Sequence, residues 1–240
     1  MGRLILEDNF KRGLEDIVAY LGCVSSGSLI LDALKAGNTS QFFNLLSNNP
    51  DISSGNEHID EIMGFASVGI GNMKLKTAAD LRNGQTCRFD GACTPVRVSD
   101  LQFSSWFGVS AQIENPFDDQ RVCVRGICQT YTPTKIQSYQ KIANQLLDKR
   151  ISIEYIAANF EAAALRAMSL GEIPTAFNTV AWHTKGVQTN DEIVLLQQRY
   201  QNQSVGHADW VLDDIAVSLQ VLGLTSTWSV NNEPQYRNHP

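Results

Sequence analysis

Long apolar runs and charged residues are what this sequence most clearly lacks. No stretch of about 18 consecutive apolar residues occurs, so we predict no membrane span. Charged residues make up 18% of the chain, against a typical value of about 25%. The net charge is −6 and no basic cluster is present, so we expect no nucleic-acid partner. The N-terminal segment reaches Glu7 and Asp8 too early for the apolar core of a secretory signal peptide, and we expect none in this chain.

Histidines are also few, and their positions argue against a metal site. The four histidines are His58, His183, His207 and His239, and no two of them have the close spacing that metal ligands show on a helix. Cys23 has no evident partner histidine, so we interpret it as a small buried apolar residue and not as a nucleophile. We therefore expect neither a metal nor another cofactor.

Apolar residues are plentiful enough to build a core, because they make up 43% of the 240 residues. That fraction excludes disorder as the main state. Their spacing is helical, most strongly after Thr134, whereas short alternating stretches near residues 96–98 and 121–124 indicate small strands. We therefore expect a mainly α protein that forms a single domain over residues 1–240, with a small irregular or β insertion over 84–132.

Local signals predict where several elements begin and end. Ser28 is the expected N-cap of a helix that continues to Lys35. Residues 48–55 are rich in turn-forming side chains and predict a loop, followed by a short helix over residues 57–64. A last helix is expected over residues 209–222.

Four of the five cysteines form two close pairs within the predicted insertion. Cys87 and Cys93 enclose an Asp-Gly sequence that is typical of a tight hairpin, and Cys123 and Cys128 enclose a glycine. The economical interpretation is two local disulfides, Cys87–Cys93 and Cys123–Cys128. Pairs of 87 with 128 and of 93 with 123, a four-thiolate zinc site and free thiols remain alternatives. Disulfides would indicate an oxidising compartment, either extracellular or periplasmic.

The most distinctive segment is residues 66–78, which contains Gly69, Gly71 and Asn72. Two glycines one residue apart indicate positive φ angles or close approach of the backbone to another element. A nucleotide-binding loop does not fit, because the third glycine is missing and no βαβ unit surrounds the segment. A tight turn that leads into a helix near Thr77 explains the segment without any function.

The same residues resemble a known family motif. Ser67-x-Gly69-x-Gly71-Asn72-Met73, with Thr77-Ala78 after it, resembles the Ser-x-Gly-x-Gly-(Gln or Asn)-Met-x-x-x-x-Thr-Ala motif of the lysozyme-like superfamily. That superfamily includes soluble lytic transglycosylases and goose-type lysozymes. Residues 148–160 resemble a later helix of those enzymes, in which small alanines let the helix pack under the sugar-binding cleft.

The resemblance implies both a fold and an activity. It implies a lysozyme-like helical domain that cleaves the β-1,4 bond between N-acetylmuramic acid and N-acetylglucosamine in peptidoglycan. The glycan strands are then the partner, with an inhibitor or immunity protein as a further partner. It also implies that the motif residues line the substrate cleft, namely Ser67, Gly69, Gly71, Asn72 and Met73. The acidic net charge favours a delivered antibacterial toxin or a domain of a larger machine.

Enzymes of this superfamily use one glutamic acid, which must be neutral to protonate the glycosidic oxygen. Burial among apolar residues raises a carboxyl pKa enough for that role. Glu7 follows three apolar residues, and Glu57 and Glu61 precede the glycine turn at distances found in shorter members of the family. The alternative is that Glu7 is an acid in a first helical turn and that Glu57 and Glu61 form a solvated helix face.

Two aromatic residues near the C-terminal part of the chain are further candidates for contact with a sugar. The resemblance places Trp182 and His183 in a loop that lines the cleft, where they would contact a sugar, although packing within that loop is an alternative. Attack by water or by the substrate's own 6-hydroxyl distinguishes a hydrolase from a transglycosylase, and both remain open. The rival is a non-catalytic glycan-binding or structural domain on the same fold.

Overall fold

The computed structural model describes residues 5–6, 18–53, 56–88, 90–96 and 113–202. About 60% of the described residues are helical, and the sheets are small. The mainly α class and the small disulfide-bearing insertion are therefore confirmed. Within the described ranges, no helix has the length and apolar character needed to cross a membrane.

The helices of the described ranges, besides a helical stretch over residues 18–23, are the following: α1 (Gly27–Lys35), α2 (Thr39–Ser47), α3 (Pro50–Ser53), α4 (Asn56–Phe65), α5 (Leu75–Arg82), α6 (Lys135–Leu147), α7 (Lys149–Ser169), α8 (Ala176–Lys185) and α9 (Asn190–Asn202). The strands are β1 (Ile5–Leu6), β2 (Ala66–Val68), β3 (Met73–Lys74), β4 (Gln85–Cys87), β5 (Cys93–Pro95), β6 (Gln120–Val124) and β7 (Ile127–Tyr131). The chain divides into two compact units, unit 1 (Met1–Arg82 with Asp100–Ile156) and unit 2 (Asn83–Ser99 with Ala157–Pro240).

Unit 1 contains a small antiparallel sheet in the order β1-β2-β3. Ser67 of β2 pairs with Ile5 on one side and with Lys74 on the other. Helix α4 runs directly into β2, and β3 runs directly into α5, so the hairpin lies between two helices in the sequence. The apolar core of the unit comes from the helices and β2, and its fully buried side chains include Phe42, Phe43, Leu46, Ile62, Val68, Tyr139 and Ile142.

Helix α6 begins where its sequence predicts. The Thr134 hydroxyl accepts a hydrogen bond from the backbone N–H of Gln137, and the Gln137 side chain accepts one from the N–H of Thr134. This capping box satisfies two backbone donors that the helix itself leaves unpaired. A strong local signal of this kind explains why the predicted start at Thr134 is confirmed.

Two local predictions, the start of a helix and the extent of a loop, are wrong. Helix α1 begins at Gly27 with Ser26 as N-cap, not at Ser28, because the absence of a side chain on Gly27 lets the backbone approach the carbonyl of Leu21 closely. The expected loop over residues 48–55 contains the short helix α3, whose first residue is a proline, which is favoured there. The Asn49 side chain also accepts hydrogen bonds from two N–H groups of that first turn.

Both predicted disulfides are present, each across a two-stranded hairpin. Cys87 pairs with Cys93 between β4 and β5, and Cys123 pairs with Cys128 between β6 and β7. The prediction that Cys23 is a buried apolar residue is wrong, because the structure exposes it at the end of the helical stretch 18–23. Its neighbours Gly22 and Ser25 are also exposed, so this turn of the chain faces solvent.

Unit 2 contains the β4–β5 hairpin, residues 157–169 of α7, and helices α8 and α9. Helix α7 ends at Ser169, and the N–H of Glu172 donates to the carbonyl of Ala167 while Gly171 adopts a φ of 78°. This is a common helix end, in which a glycine in the left-handed conformation follows the last turn. The predicted helix over residues 209–222 and the strand residues 97–98 lie outside the described residues.

Candidate functional site

The turn between β2 and β3 is built by its two glycines. Gly69 has a φ of 85°, and a Cβ atom on it would lie 2.6 Å from the Ser152 hydroxyl oxygen and nearer still to the carbonyl oxygen of Leu146. Gly71 packs equally tightly against the side chain of Ile156. Both glycines therefore let the turn approach helices α6 and α7 more closely than any other residue would permit.

Asn72 completes this turn in an exposed position. Its φ is 47°, in the left-handed region that asparagine tolerates better than most residues, and its N–H donates to the carbonyl of Gly69 over 3.3 Å. Residues Ile70 and Asn72 are the two exposed members of the turn. Asn72 could be predicted from the motif, whereas Ile70 was not predicted, although it is an apolar residue between the two turn glycines.

Two other motif residues point into the protein. Ser67 is fully buried and Met73 is 2% exposed. The Ser67 hydroxyl has no hydrogen-bond partner among the described residues, and the same holds for Ser152. The surface that a ligand can reach at this turn is therefore formed by Asn72, Ile70 and the turn backbone. The side chains of Ser67 and Met73 are buried in the protein behind this surface.

The three candidate acids have different positions. Glu7 lies outside the described residues, and it follows strand β1 in the sequence. The backbone of Glu57 belongs to the first turn of α4, and Glu61 lies one turn further along. The Glu61 side chain is 61% exposed, and its Oε2 lies 3.4 Å from Nδ1 of His58. Glu61 therefore lacks the apolar burial that the predicted acid requires.

A cluster that the sequence analysis missed attaches helix α4 to α6. The Tyr139 hydroxyl donates to Oδ1 of Asp60 over 2.6 Å, and the Lys135 ammonium donates to Oδ2 over 2.6 Å. Burial raises the pKa of Tyr139 above its ordinary range, and the hydrogen bond to the Asp60 carboxylate raises it further. The cluster fixes the helix that leads into the glycine turn and that also carries the candidate glutamates Glu57 and Glu61.

Trp182 and His183 lie in helix α8 of unit 2, so the prediction that they belong to a loop is wrong. The threonine, asparagine and glycine residues that suggested a loop are the caps of this helix, which begins after Thr175 and ends at Gly186. Trp182 is 4% exposed, and the Arg166 guanidinium carbon lies 4.4 Å from its ring centroid. The side chain of Trp182 is therefore packed inside unit 2.

The imidazole of His183 is engaged by its own unit. Its Nδ1 lies 2.8 Å from Nδ2 of Asn159, and its ring packs edge-on against Phe160 at 5.4 Å between centroids. The side chain is half-buried. These contacts favour a packing role for His183, which is the alternative that the sequence left open.

A buried ion pair holds α7 and α9 together in unit 2. The Arg166 guanidinium pairs with the Glu192 carboxylate, and both side chains are 6% exposed. Glu192 also accepts from the N–H of Gln188 over 2.8 Å, and Arg166 donates to the Gln188 side chain over 3.1 Å. Gln188 and Glu192 are four residues apart, but Arg166 is 22 and 26 residues from them, so the sequence contains no local signal for its part in this network.

No group of three or more histidine, cysteine, aspartate or glutamate side chains within the described ranges has a geometry that could hold a metal ion. Comparison with family models, curated proteins and solved structures finds no significant match to the chain.

Proposed function

We propose that the protein cleaves the glycan strands of peptidoglycan at the β-1,4 bond between N-acetylmuramic acid and N-acetylglucosamine, on a lysozyme-like domain. The observation that carries the proposal is the turn Gly69–Asn72. Its backbone is packed tightly onto α6 and α7, and it presents the amide of Asn72 at the surface. The motif that resembles the family's cleft residues thus forms a firmly supported and accessible polar turn.

Sugar recognition suits the chemistry of this turn. A primary amide has two donors and an acceptor, and it can bond both hydroxyl and acetamido groups of a sugar. Ile70 is 49% exposed beside it and can contact the apolar face of a sugar ring. Since the glycines leave the turn little freedom to move, a bound sugar would lose little free energy to ordering the protein.

The catalytic step needs one glutamic acid that carries a proton at neutral pH. We propose Glu7 for this role, because three apolar residues precede it in the sequence and because the two residues before it, Ile5 and Leu6, form β1 and pair with β2, the strand that leads into the turn. Glu57 and Glu61 are the alternatives on α4. The acid protonates the glycosidic oxygen, and either water or the 6-hydroxyl of N-acetylmuramic acid then attacks the anomeric carbon.

The disulfides bear on where this reaction takes place. Two disulfide pairs are typical of proteins in oxidising compartments. We therefore propose an extracellular or periplasmic location, where peptidoglycan is accessible. An antibacterial toxin that is delivered to a competitor, and neutralised in the producer by an inhibitor or immunity protein, fits this location.

One observation favours a second candidate function. Glu61, the candidate acid whose side chain the structure describes, is largely exposed to solvent. A non-catalytic glycan-binding domain needs the Asn72 turn but no buried acid. This function would retain affinity for glycan strands without releasing soluble fragments.

Digestion of purified peptidoglycan sacculi separates the two functions. Release of muropeptides with anhydro ends would indicate a lytic transglycosylase, and release of reducing ends would indicate a hydrolase, both read by mass spectrometry. Sedimentation of the protein with sacculi that release nothing would support the binding domain. Chitin serves as the substrate control, and heat-unfolded protein serves as the protein control. If the protein neither binds sacculi nor releases fragments from them, both functions are contradicted.

A further inference from the structure

The glycine turn rests on three residues that two helices supply. A Cβ atom on Gly69 would collide with the carbonyl oxygen of Leu146 near the end of α6 and would lie 2.6 Å from the Ser152 hydroxyl oxygen in the first turn of α7. A Cβ atom on Gly71 would collide with the side chain of Ile156, one turn further along α7. We call Leu146, Ser152 and Ile156 the turn floor. Because the contact is this close, the position of the turn depends on how α6 and α7 are held relative to each other.

The Gln145 side chain joins the two halves of the turn floor. Its Oε1 accepts a hydrogen bond of 2.6 Å from the Tyr155 hydroxyl, and its Nε2 donates one of 2.8 Å to the backbone carbonyl of Glu114. A carbonyl can only accept, so the bond to Glu114 fixes the orientation of the Gln145 amide and directs Oε1 to Tyr155. Gln145 is adjacent to Leu146 in the sequence, and Tyr155 is adjacent to Ile156. The bond therefore links α6 to α7 at the residues next to the turn floor.

This link is buried. Tyr155 is fully buried and Gln145 is 9% exposed, so water competes little for the hydrogen bond. Burial raises the pKa of Tyr155 above its ordinary range, so the hydroxyl keeps its proton and remains a donor at neutral pH. The Ser152 hydroxyl has no hydrogen-bond partner among the described residues, so Ser152 contributes packing to the turn floor but no polar link. The bond between Gln145 and Tyr155 is therefore a directional contact that sets the spacing of the two helices beneath the turn.

We propose that Gln145 and Tyr155 are positioning residues for glycan binding, because their hydrogen bond holds the turn floor in the arrangement that presents the Asn72 amide to a sugar. Since Asn72 is a glycan ligand only under the proposed function, the role of these two residues rests on that function. Both side chains are buried, so they act on the ligand only through the turn floor. Close packing transmits a small displacement of either helix to the turn.

Ser138 provides a matched contact on the same helix. It lies seven residues before Gln145, on the same face of α6, and its hydroxyl donates a hydrogen bond of 3.0 Å to the carbonyl of Pro116. Ser138 is 1% exposed. Ser138 and Gln145 both hold the segment 113–117 on α6, whereas Gln145 also bonds to Tyr155 of α7. Ser138→Ala therefore removes a buried hydrogen bond of the same kind and leaves the link beneath the turn intact.

Hydrogen exchange of the turn measures the proposed role without any glycan. Mass spectrometry reads the exchange on a peptide that covers residues 66–75. We expect Tyr155→Phe to speed exchange in this peptide about fivefold, the factor that corresponds to one neutral hydrogen bond. Ser138→Ala should leave exchange there within about twofold of the wild type. Both variants should melt about 2–4 °C below the wild type, because each loses one buried hydrogen bond.

Affinity for soluble peptidoglycan fragments then tests the link to binding. Tyr155→Phe should bind about fivefold more weakly than the wild type, whereas Ser138→Ala should bind within about twofold of it. The double variant Gln145→Leu/Tyr155→Phe removes both polar partners, so its melting temperature should recover relative to Tyr155→Phe. Its affinity and its turn exchange should remain altered, because the directional bond is still missing. A merely structural role predicts instead that affinity recovers together with the melting temperature.

Three results would overturn the proposal: normal turn exchange in Tyr155→Phe, equal acceleration in Tyr155→Phe and Ser138→Ala, or recovery of affinity in the double variant. If the wild type binds no glycan, the proposed function fails, and the exchange measurements still decide whether Gln145 and Tyr155 position the turn.

Discussion

The hydroxyl group of Tyr139 donates a hydrogen bond of 2.6 Å to Oδ1 of Asp60. Tyr139 is 1% exposed, so removal of the Asp60 carboxylate would leave a buried hydroxyl that lacks this hydrogen bond. The bond joins α6 to α4, the helix that runs directly into β2 and the glycine turn. The position of the turn therefore depends on a polar contact between side chains that are 79 residues apart in the sequence.

Tyr139→Phe tests the strength of this contact. The variant removes the hydroxyl and leaves the Asp60 carboxylate paired with Lys135. We expect the free energy of unfolding to fall by about 1.5–3 kcal/mol, the usual range for a hydrogen bond to a charged group. Chemical denaturation measures the change. Tyr131→Phe is the matched control, because Tyr131 is 43% exposed and its loss should cost less than about 0.5 kcal/mol.

The raised pKa of Tyr139 predicts how stability depends on pH. In the unfolded chain this tyrosine ionises near pH 10, whereas the folded protein retains the proton to higher pH. Above that pH the unfolded state binds fewer protons than the folded state, so the free energy of unfolding falls as pH rises. Melting curves above pH 9 should show this fall, and Tyr139→Phe should reduce its slope. Burial also raises the pKa of Tyr155, so part of the fall in stability should remain in this variant. An unchanged slope in Tyr139→Phe would contradict the assignment.

Gly69→Ala should destabilise the turn through two separate effects. A positive φ costs an alanine about 1–2 kcal/mol, and the added Cβ would collide with the carbonyl of Leu146 and the Ser152 hydroxyl. Gly91→Ala isolates the first effect, because Gly91 has a φ of 89° and a Cβ atom on it would meet no described atom within 4 Å. We expect Gly69→Ala to cost at least about 1 kcal/mol more than Gly91→Ala by denaturation. Equal costs would show that the close packing of the turn is absent in solution.

Asn72→Gly tests whether the exposed amide binds glycan. Glycine accepts the positive φ of Asn72 without strain, so the variant removes the amide and keeps the turn. We expect about a tenfold loss of affinity for peptidoglycan fragments, the equivalent of one or two hydrogen bonds, with a nearly unchanged melting temperature. Ser26→Gly is the matched control, because Ser26 also has a positive φ and lies outside the turn. If Asn72→Gly loses stability but binds normally, Asn72 is a structural turn residue.

The sequence predicts features whose causes are local. The start of α6 at Thr134 and the two hairpins with cysteines are encoded within a few residues, and all of them are confirmed. The same local signals misled at Trp182, because the residues that cap α8 are also the residues that form loops. The requirement for glycine at positions 69 and 71 could also be predicted.

What could not be predicted depends on contacts distant in the sequence. The partner of the Tyr139 hydroxyl is Asp60, and the partner of Arg166 is Glu192. Neither pair has a periodicity or spacing that a single sequence reveals, since only the packing of the helices brings the groups together. Burial of the Ser67 side chain beneath the turn likewise depends on the pairing of β2 with both β1 and β3.

The rate at which the protein solubilises purified sacculi, measured for the wild type and for Glu7→Gln, Glu57→Gln and Glu61→Gln, tests the proposed activity most directly. Glutamine retains the shape of the side chain and cannot donate the proton. General acid catalysis contributes about 10²- to 10⁴-fold, so we predict a loss of that size in Glu7→Gln with an unchanged melting temperature, and at most a few-fold loss in the other two. Full activity in all three variants, or no activity in the folded wild type, would contradict cleavage by a single glutamic acid.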